Sequence, residues 1–428
     1  MKRNVLTARQ VATRLGVKLE TVYAYVSRGV LHRTLAADGR TSQFEPSEVE
    51  SLARHGRPRS GAARVGTVDV SLATSITEIH GDRLLFRGHD AVALARGSSF
   101  EAVAELLWTG TLPPSATWPA PPQGARVARR ATAALPAETS PIERLAVITA
   151  ALACSHPLRM DLRPATVAAH GRALLATFAQ LLPDVDRSGD RPPRRSRGRP
   201  LPEGAAPRSP PEAAFAWRLW RRLSGLAATA ERVAVLDAAL VLLSDHELAT
   251  STLAARVAAS TRADPFAVVL AGLGAVSGPL HGKAALGVHG LLLQAAVSSP
   301  ELAFAQAVDE ARVTYGFGHP VYRGVDPRAG YLLEALAPLA KREERRLLDA
   351  VLGVARSHGA AHPNVDFALG ALAFVLKMPK GATEAIFAIA RTAGWLAHAL
   401  EEYGEAPLRF RARAVYIGPE AATALGAS

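Results

Sequence analysis

The stretch "SGPLHGKAALGVHGLL", residues 277–292, places His281 at a backbone break directly before an apolar run. Gly278 and Pro279 disfavour a continuing helix, and the alanine- and leucine-rich residues that follow predict the start of a new one. A histidine at such a junction is more often a cap or a packed core residue than a reactive group. Its meaning therefore depends on what the rest of the chain supplies.

The composition favours a large, mostly helical protein. The chain has 428 residues, 49% of them hydrophobic, and clusters of strand-forming Val, Ile, Tyr and Thr are scarce. No apolar run approaches the ~20 residues needed to span a bilayer, so we expect no membrane association. The opening "MKRNVLTARQ" lacks an apolar segment after its charges, so we expect no signal peptide. Cys154 is the single cysteine, which excludes an internal disulfide and a multi-cysteine metal site and predicts a cytoplasmic location.

The net charge of +12 suggests a nucleic-acid partner, but the positive charge is unevenly spread. Much of it lies in residues 1–66 and in an arginine- and proline-rich segment, residues 186–213. That segment has almost no large apolar groups, which predicts a flexible surface insertion. Residues 56–66, rich in glycine, arginine and serine, are predicted to form a linker.

Residues 1–55 are predicted to form a small domain of their own. Thr7 and Gln10 have the spacing of a capping box, and apolar residues at helical spacing follow on both sides of a Gly16 break. An Asp38-Gly39 turn between short extended runs predicts a β-wing. This pattern resembles the winged helix-turn-helix module of the MerR and excisionase type.

The resemblance implies that the second helix of this module contacts double-stranded DNA. The side chains predicted to face outward include two tyrosines, Tyr23 and Tyr25. The candidate DNA-binding residues are Lys18, Thr21, Tyr23 and Arg28. A protein-interaction or dimerisation module is the alternative, because helix pairs of this kind serve both purposes.

Four segments place ionisable groups beside residues that break the backbone. They are "SDHELATST" (244–252), "SGPLHGK" (277–283), "YGFGHPVYRGVDPRAGYL" (315–332) and "AHPNVDFALGAL" (361–372). The pair His246–Glu247 lacks the second histidine of a zinc-protease motif, and no ligand spacing recurs, so we expect no metal. No phosphate-binding glycine loop is present, so we expect no nucleotide cofactor.

Taken together, the order and the local sequence motifs of these segments resemble those of the citrate synthase family, and the resemblance covers nearly all of residues 67–428. The resemblance implies an all-α fold with a large domain, about 67–282 and 376–428, and a small domain, about 283–375, that closes over the substrates. It also implies a condensation of acetyl-CoA with oxaloacetate, with coenzyme A as acyl substrate and no further cofactor.

The resemblance assigns the chemistry to three residues. Asp366 would remove a proton from the thioester methyl, His281 would donate a hydrogen bond to the thioester oxygen, and His319 would polarise the ketone of oxaloacetate. A histidine at a helix N-terminus has its pKa lowered by the helix dipole, and a neutral His281 could donate one N–H.

Oxaloacetate carboxylates call for arginine, which binds them bidentately. The resemblance assigns this binding to His246, Arg328, Arg391 and one arginine of "LRFRAR". Arg411 is our choice, with Arg409 and Arg413 as alternatives. In the family this last arginine comes from the second subunit, which implies a homodimer with shared active sites. For Arg391, a solvated position on a helix is the alternative.

The sequence departs from the family after His281, where Gly-Gly-Ala-Asn-Glu is usual and Gly282-Lys283-Ala284-Ala285-Leu286 stands here. Lys283 is a candidate CoA-binding residue. Three hypotheses follow: a citrate synthase, a 2-methylcitrate synthase that uses propionyl-CoA, and a metabolite-responsive DNA-binding regulator on a citrate synthase scaffold.

Overall fold

The computed structural model divides the chain into two compact units, Met1–Leu72 and Ala73–Ser428. The residues that the structure describes are 6–15, 17–27, 31–35, 41–46, 49, 71–118, 125–185, 214–279, 281–311, 315–322 and 324–411. The predicted linker 56–66, the insertion 186–213 and the candidates Arg28 and Arg413 lie outside them.

Within its described residues, the first unit has a pair of helices, α1 and α2, beside a small antiparallel sheet. Strand β3 lies between β1 and β2 and pairs Leu6 with Phe44 and Thr34 with Gln43. The elements are β1 (Leu6–Thr7), α1 (Ala8–Leu15), α2 (Leu19–Ser27), β2 (Thr34–Leu35) and β3 (Ser42–Phe44). The predicted capping box is present, because the Thr7 N–H donates to Gln10 Oε1 at 2.8 Å and the Gln10 N–H donates to Thr7 Oγ1 at 3.4 Å.

Helix α2 buries Val22 and Tyr25 in the core of this unit. The prediction that Tyr25 faces outward is therefore wrong, since the residue is only 3% exposed. The reason is that Tyr25 lies three positions after Val22, on the same face of the helix. Tyr23 and Lys18 are exposed, and Thr21 is half-buried.

The second unit is mostly helical, as predicted, and opens with a three-stranded antiparallel sheet. The strands are β4 (Thr77–His80), β5 (Arg83–Phe86) and β6 (His89–Asp90). The helices before residue 280 are α3 (Ala91–Gly97), α4 (Phe100–Thr109), α5 (Ala125–Ala133), α6 (Pro141–Ser155), α7 (Pro164–Leu181), α8 (Phe215–Leu223), α9 (Ala230–Leu243), α10 (Thr250–Ser260) and α11 (Pro265–Val276). The helices after it are α12 (Ala284–Val297), α13 (Pro300–Ala311), α14 (Pro327–Leu336), α15 (Arg342–Ser357), α16 (Val365–Val375) and α17 (Ala382–Gly404).

Helix α17 is the centre of the fold, since nearly every residue from Ala382 to Ala399 is buried. It packs on α4, α7, α9, α10 and α11, while α12 to α16 pack largely on one another. The division into a large and a small domain at about 283 and 375 stays a prediction. No helix within the described ranges is both long and apolar enough to cross a membrane.

Helix α17 approaches α11 closely because Gly272 has no side chain. A Cβ atom at Gly272 would lie 2.5 Å from the indole of Trp395, whereas a Cβ at Gly274 would meet no atom within 4 Å. Dense interiors tolerate such an addition poorly, since the ring has no empty space to enter. Gly272 therefore sets the position of Trp395.

We expect Gly272→Ala to lower the free energy of unfolding by ~1–3 kcal/mol through overpacking against Trp395. The matched variant Gly274→Ala, on the same helix, should be neutral or stabilising by up to ~1 kcal/mol, because alanine favours a helix over glycine. Urea unfolding of both variants measures the difference. Equal stabilities would contradict the packing described for Gly272.

Candidate active site

The four ionisable segments come together around His246, which follows α9. The rings of His246 and His319 lie with centroids 5.0 Å apart, at an angle of 70°. Burial is the main cause that lowers the pKa of His246 well below its ordinary value, and the positive charges of Arg328 and Arg391 add to it. His246 is therefore neutral at physiological pH.

His319 is held in one tautomer by its own segment. The Val321 N–H donates to His319 Nδ1 at 3.1 Å, so the ring proton sits on Nε2 in the neutral form. Burial, followed by the charge of Arg328, lowers the pKa of His319 to about 4. The residue is thus a neutral donor at Nε2 across the physiological range.

Arg328 and Asp326 form a buried bidentate ion pair at the start of α14. Arg328 Nε and Nη2 donate to the two carboxylate oxygens of Asp326 at 3.0 and 2.8 Å. Asp326 also caps α14 through the Arg328 N–H at 3.0 Å and accepts the Val365 N–H at 2.9 Å. One carboxylate therefore fixes Arg328 and the first residue of α16.

Asp366 lies in the first turn of α16, where Asn364 is the N-cap. Asn364 Oδ1 accepts the Asp366 N–H at 2.9 Å, and its Nδ2 donates to the Gly318 carbonyl at 2.8 Å. Burial raises the pKa of Asp366 to about 6, although Arg328 and Arg391 oppose the rise. A carboxylate of this pKa suits a general base near neutral pH.

His281 lies in the turn before α12, and its Nε2 is 2.8 Å from Ser251 Oγ. Ser251 Oγ also accepts the Trp395 indole N–H at 3.2 Å. When the serine hydroxyl donates to His281 Nε2, the ring proton of His281 lies on Nδ1. Burial first, then the charge of Arg391, lowers the pKa of His281 to about 4. The predicted effect of the helix dipole stays a prediction.

Arg391 lies in the middle of α17 and is 1% exposed, so the alternative of a solvated position is wrong. Its Nε donates to the Leu243 carbonyl at 2.9 Å, and its guanidinium carbon lies 4.7 Å from the ring centroid of Phe387. Nη1 is buried without a hydrogen-bond partner among the described residues. Because buried donors are normally satisfied, this N–H is suited to an anionic ligand.

Comparison with known proteins gives the family. The family model "Citrate synthase, C-terminal domain" matches residues 66–413, most of the chain. The chain belongs to the citrate synthase family.

Individual citrate synthase relatives cover different shares of the chain. A citrate synthase from Saccharolobus solfataricus is 35% identical over 231 residues, 51% of this chain. This match spans only 61% of that relative's length. A 2-methylcitrate synthase from Corynebacterium glutamicum is 28% identical over 342 residues, 75% of this chain and 85% of that protein.

A solved structure extends the similarity to the fold. The citrate synthase from Thermoplasma acidophilum, in a ternary complex with carboxymethyl coenzyme A and oxaloacetate, is 25% identical to this chain with a TM-score of 0.63. The similarity covers 84% of this chain and 96% of that one. The citrate synthase fold predicted for this part of the chain is confirmed as a mostly helical fold, which also contains the small sheet β4–β6.

A buried network of charged side chains, which the sequence analysis missed, connects the residue before His246 to helix α17. His398 Nδ1 accepts from Arg256 at 3.0 Å, so its Nε2–H donates to Asp245 Oδ2 at 3.2 Å. Arg256 also pairs with Glu402 at 3.0 Å, and Glu402 pairs with Arg409 at 2.6 Å. Asp245, next to His246 in the chain, is thereby fixed to α17.

The remaining predicted residues lie outside the histidine cluster. Lys283 borders a cavity of about 930 Å³ that Glu143, Lys380 and Glu384 also line. Arg411 is exposed, whereas the guanidinium of Arg409 is bound by Glu402 of its own chain. No group of three or more His, Cys, Asp or Glu side chains in the described part of the chain could hold a metal ion.

Three residues in contact with the cluster were missed: Ser251, Trp395 and Tyr322. Ser251 and Trp395 orient His281, and the Tyr322 hydroxyl lies 2.9 Å from His246 Nε2. Both Ser251 and Tyr322 fall within segments that the sequence analysis quoted. Their position within those segments is the only sequence signal that could have identified these two residues as part of the site.

We expect Arg391→Gln to raise the pKa values of His281 and Asp366, since the positive charge of Arg391 lowers both. His289 provides an internal control, because burial and Lys377 are the causes that lower its pKa. NMR titration of labelled histidine and aspartate side chains measures all three groups. An unchanged His281 pKa would contradict its electrostatic coupling to Arg391.

Proposed function

We infer that the protein is a citrate synthase-type condensing enzyme that joins the carbon next to the thioester of an acyl-CoA to the ketone carbon of oxaloacetate. The observation that carries this function is the grouping of Asp366, with its pKa raised to about 6, with three neutral histidines and two buried arginines. The named activities of the relatives and the ligands of the Thermoplasma acidophilum structure support the same reaction.

The first step is proton removal from the carbon next to the thioester. Asp366 accepts the proton as its carboxylate, and His281 Nδ1–H donates to the thioester oxygen as negative charge develops there. The hydrogen bond from Ser251 keeps His281 in the required tautomer. The neutral form matters because the Ser251 bond needs a lone pair on Nε2.

The second step forms the carbon–carbon bond. His319 Nε2–H donates to the ketone oxygen of oxaloacetate, which becomes the hydroxyl of the product. Arg328, Arg391 and His246 bind the oxaloacetate carboxylates, and the free Nη1 of Arg391 supplies one donor. Water then hydrolyses the thioester and releases the CoA thiol.

The proposed function holds for either of two acyl substrates, acetyl-CoA or propionyl-CoA. The two differ by one methylene, which a hydrophobic pocket discriminates only modestly. Relatives of both named activities match the chain. Lys283 remains a candidate for contact with a CoA phosphate.

We expect release of free CoA when oxaloacetate is mixed with acetyl-CoA or propionyl-CoA, and a loss of ~10²-fold or more in kcat for Asp366→Asn. Because Asp366 must be ionised, kcat should fall as the pH drops below about 6. A thiol-reactive dye measures both. Retained oxaloacetate binding without thiol release from either acyl-CoA would contradict the enzyme and favour a regulator.

We propose that the enzyme is a homodimer in which Arg411 completes the site of the partner subunit. The exposure of Arg411 and the internal pairing of Arg409 favour Arg411 over Arg409.

Inactive Asp366→Asn and Arg411→Ala chains, unfolded together and refolded, should then regain roughly a quarter of wild-type activity. Random pairing makes about half of the dimers mixed, and one of the two sites in each is intact. Thiol release measures the recovery. Refolding each variant alone is the control, and no gain in the mixture would place Arg411 outside the partner's site.

For the N-terminal unit we propose a winged helix-turn-helix function in which exposed cations bind double-stranded DNA. The helix pair, the β3–β2 strand pairing and the exposed Lys18, Tyr23 and Arg33 support it.

We expect Lys18→Ala to weaken retention on duplex DNA about equally for all sequences, because lysine contacts phosphate. Gel retention at several salt concentrations measures the loss. The exposed cation Arg345, on α15, provides the control variant Arg345→Ala. Equal retention by both variants would contradict DNA binding through Lys18 and favour a protein-interaction module.

A cytoplasmic location stays a prediction.

A further inference from the structure

Tyr322 contacts the residues assigned to oxaloacetate, although no step of the reaction uses it. Its ring centroid lies 4.8 Å from that of His319 and 5.5 Å from that of His246. The guanidinium carbon of Arg328 lies 5.6 Å from the same ring. Tyr322 is 4% exposed, so its side chain is a wall of the site.

The hydroxyl of Tyr322 makes one short polar contact, at 2.9 Å from His246 Nε2. Burial raises the pKa of Tyr322, so the phenol keeps its proton. His246 is neutral, because burial lowers its pKa. The phenol therefore donates to Nε2, and the ring proton of His246 is left on Nδ1.

The contact joins two separate parts of the chain. His246 follows α9, which packs on the central helix α17. Tyr322 lies between α13 and α14, within the predicted small domain. The hydrogen bond thus links His246, just after the end of α9, to the segment that carries His319 and Arg328.

We propose that Tyr322 is a positioning residue for oxaloacetate, whose hydroxyl fixes the ring of His246 against the segment 315–322. This inference rests on the proposed function. It names a residue that shapes substrate binding and takes no part in the proton transfers. Loss of the hydroxyl should therefore affect oxaloacetate more than the acyl-CoA or the chemical step.

Tyr322→Phe keeps the ring and removes the hydroxyl. We expect the KM and the Kd for oxaloacetate to rise about tenfold, since His246 Nε2 would be left buried without its donor. The KM for acyl-CoA and the kcat should stay within about twofold. The control is Tyr331→Phe, a buried tyrosine of α14 whose ring lies under Arg96.

Calorimetric binding of oxaloacetate separates this inference from the proposed function, because it needs no turnover. Absence of thiol release with oxaloacetate binding that still depends on Tyr322 would contradict the enzyme and leave the role of Tyr322 intact. An oxaloacetate Kd for Tyr322→Phe equal to that of Tyr331→Phe would overturn the role. So would a fall in kcat with an unchanged KM for oxaloacetate.

Discussion

The ion pair between Arg328 and Asp326 is the constraint on which the site depends. A carboxylate buried this deeply is stable only when its oxygens are bonded, and Asp326 satisfies both of them with Arg328 and backbone N–H groups. Removing either partner would leave an uncompensated buried charge, which costs about 3–5 kcal/mol. The pair therefore positions the Arg328 guanidinium and ties the start of α16, with Asp366, to the start of α14.

Burial of the cluster has opposite effects on its acids and bases, and the reaction needs both. Desolvation disfavours the charged form, so it raises the pKa of Asp366 and lowers those of His281 and His319. The positive charges of Arg328 and Arg391 reinforce the effect on the histidines and oppose it on the aspartate. The outcome is a base that is ionised near neutral pH beside donors that are uncharged.

The sequence alone predicts the mostly helical fold and singles out candidate site residues such as His281 and Asp366 by their local pattern. Gly282 follows His281 directly, and Asn364 stands two positions before Asp366. Ser251 and Trp395 could not be assigned in this way, because Ser251 bonds His281 across 30 positions and Trp395 bonds Ser251 across 144 positions. Tyr25 was misplaced for a local reason, since a tyrosine on an amphipathic helix fits either face.

The buried network next to His246 shows that the central helix α17 supports the site in a second way, besides carrying Arg391. His398 accepts a hydrogen bond from Arg256 and donates one to Asp245. Its tautomer is therefore fixed, because an arginine can only donate and a carboxylate can only accept. Gly394 allows α17 to approach Asp245 closely, since a Cβ at this position would lie 2.3 Å from Asp245 Oδ1. A single helix thus carries the buried Arg391 and, one to two turns later, anchors the residue before His246. Any shift of α17 would displace both together, and the burial of this helix from Ala382 to Ala399 opposes such a shift.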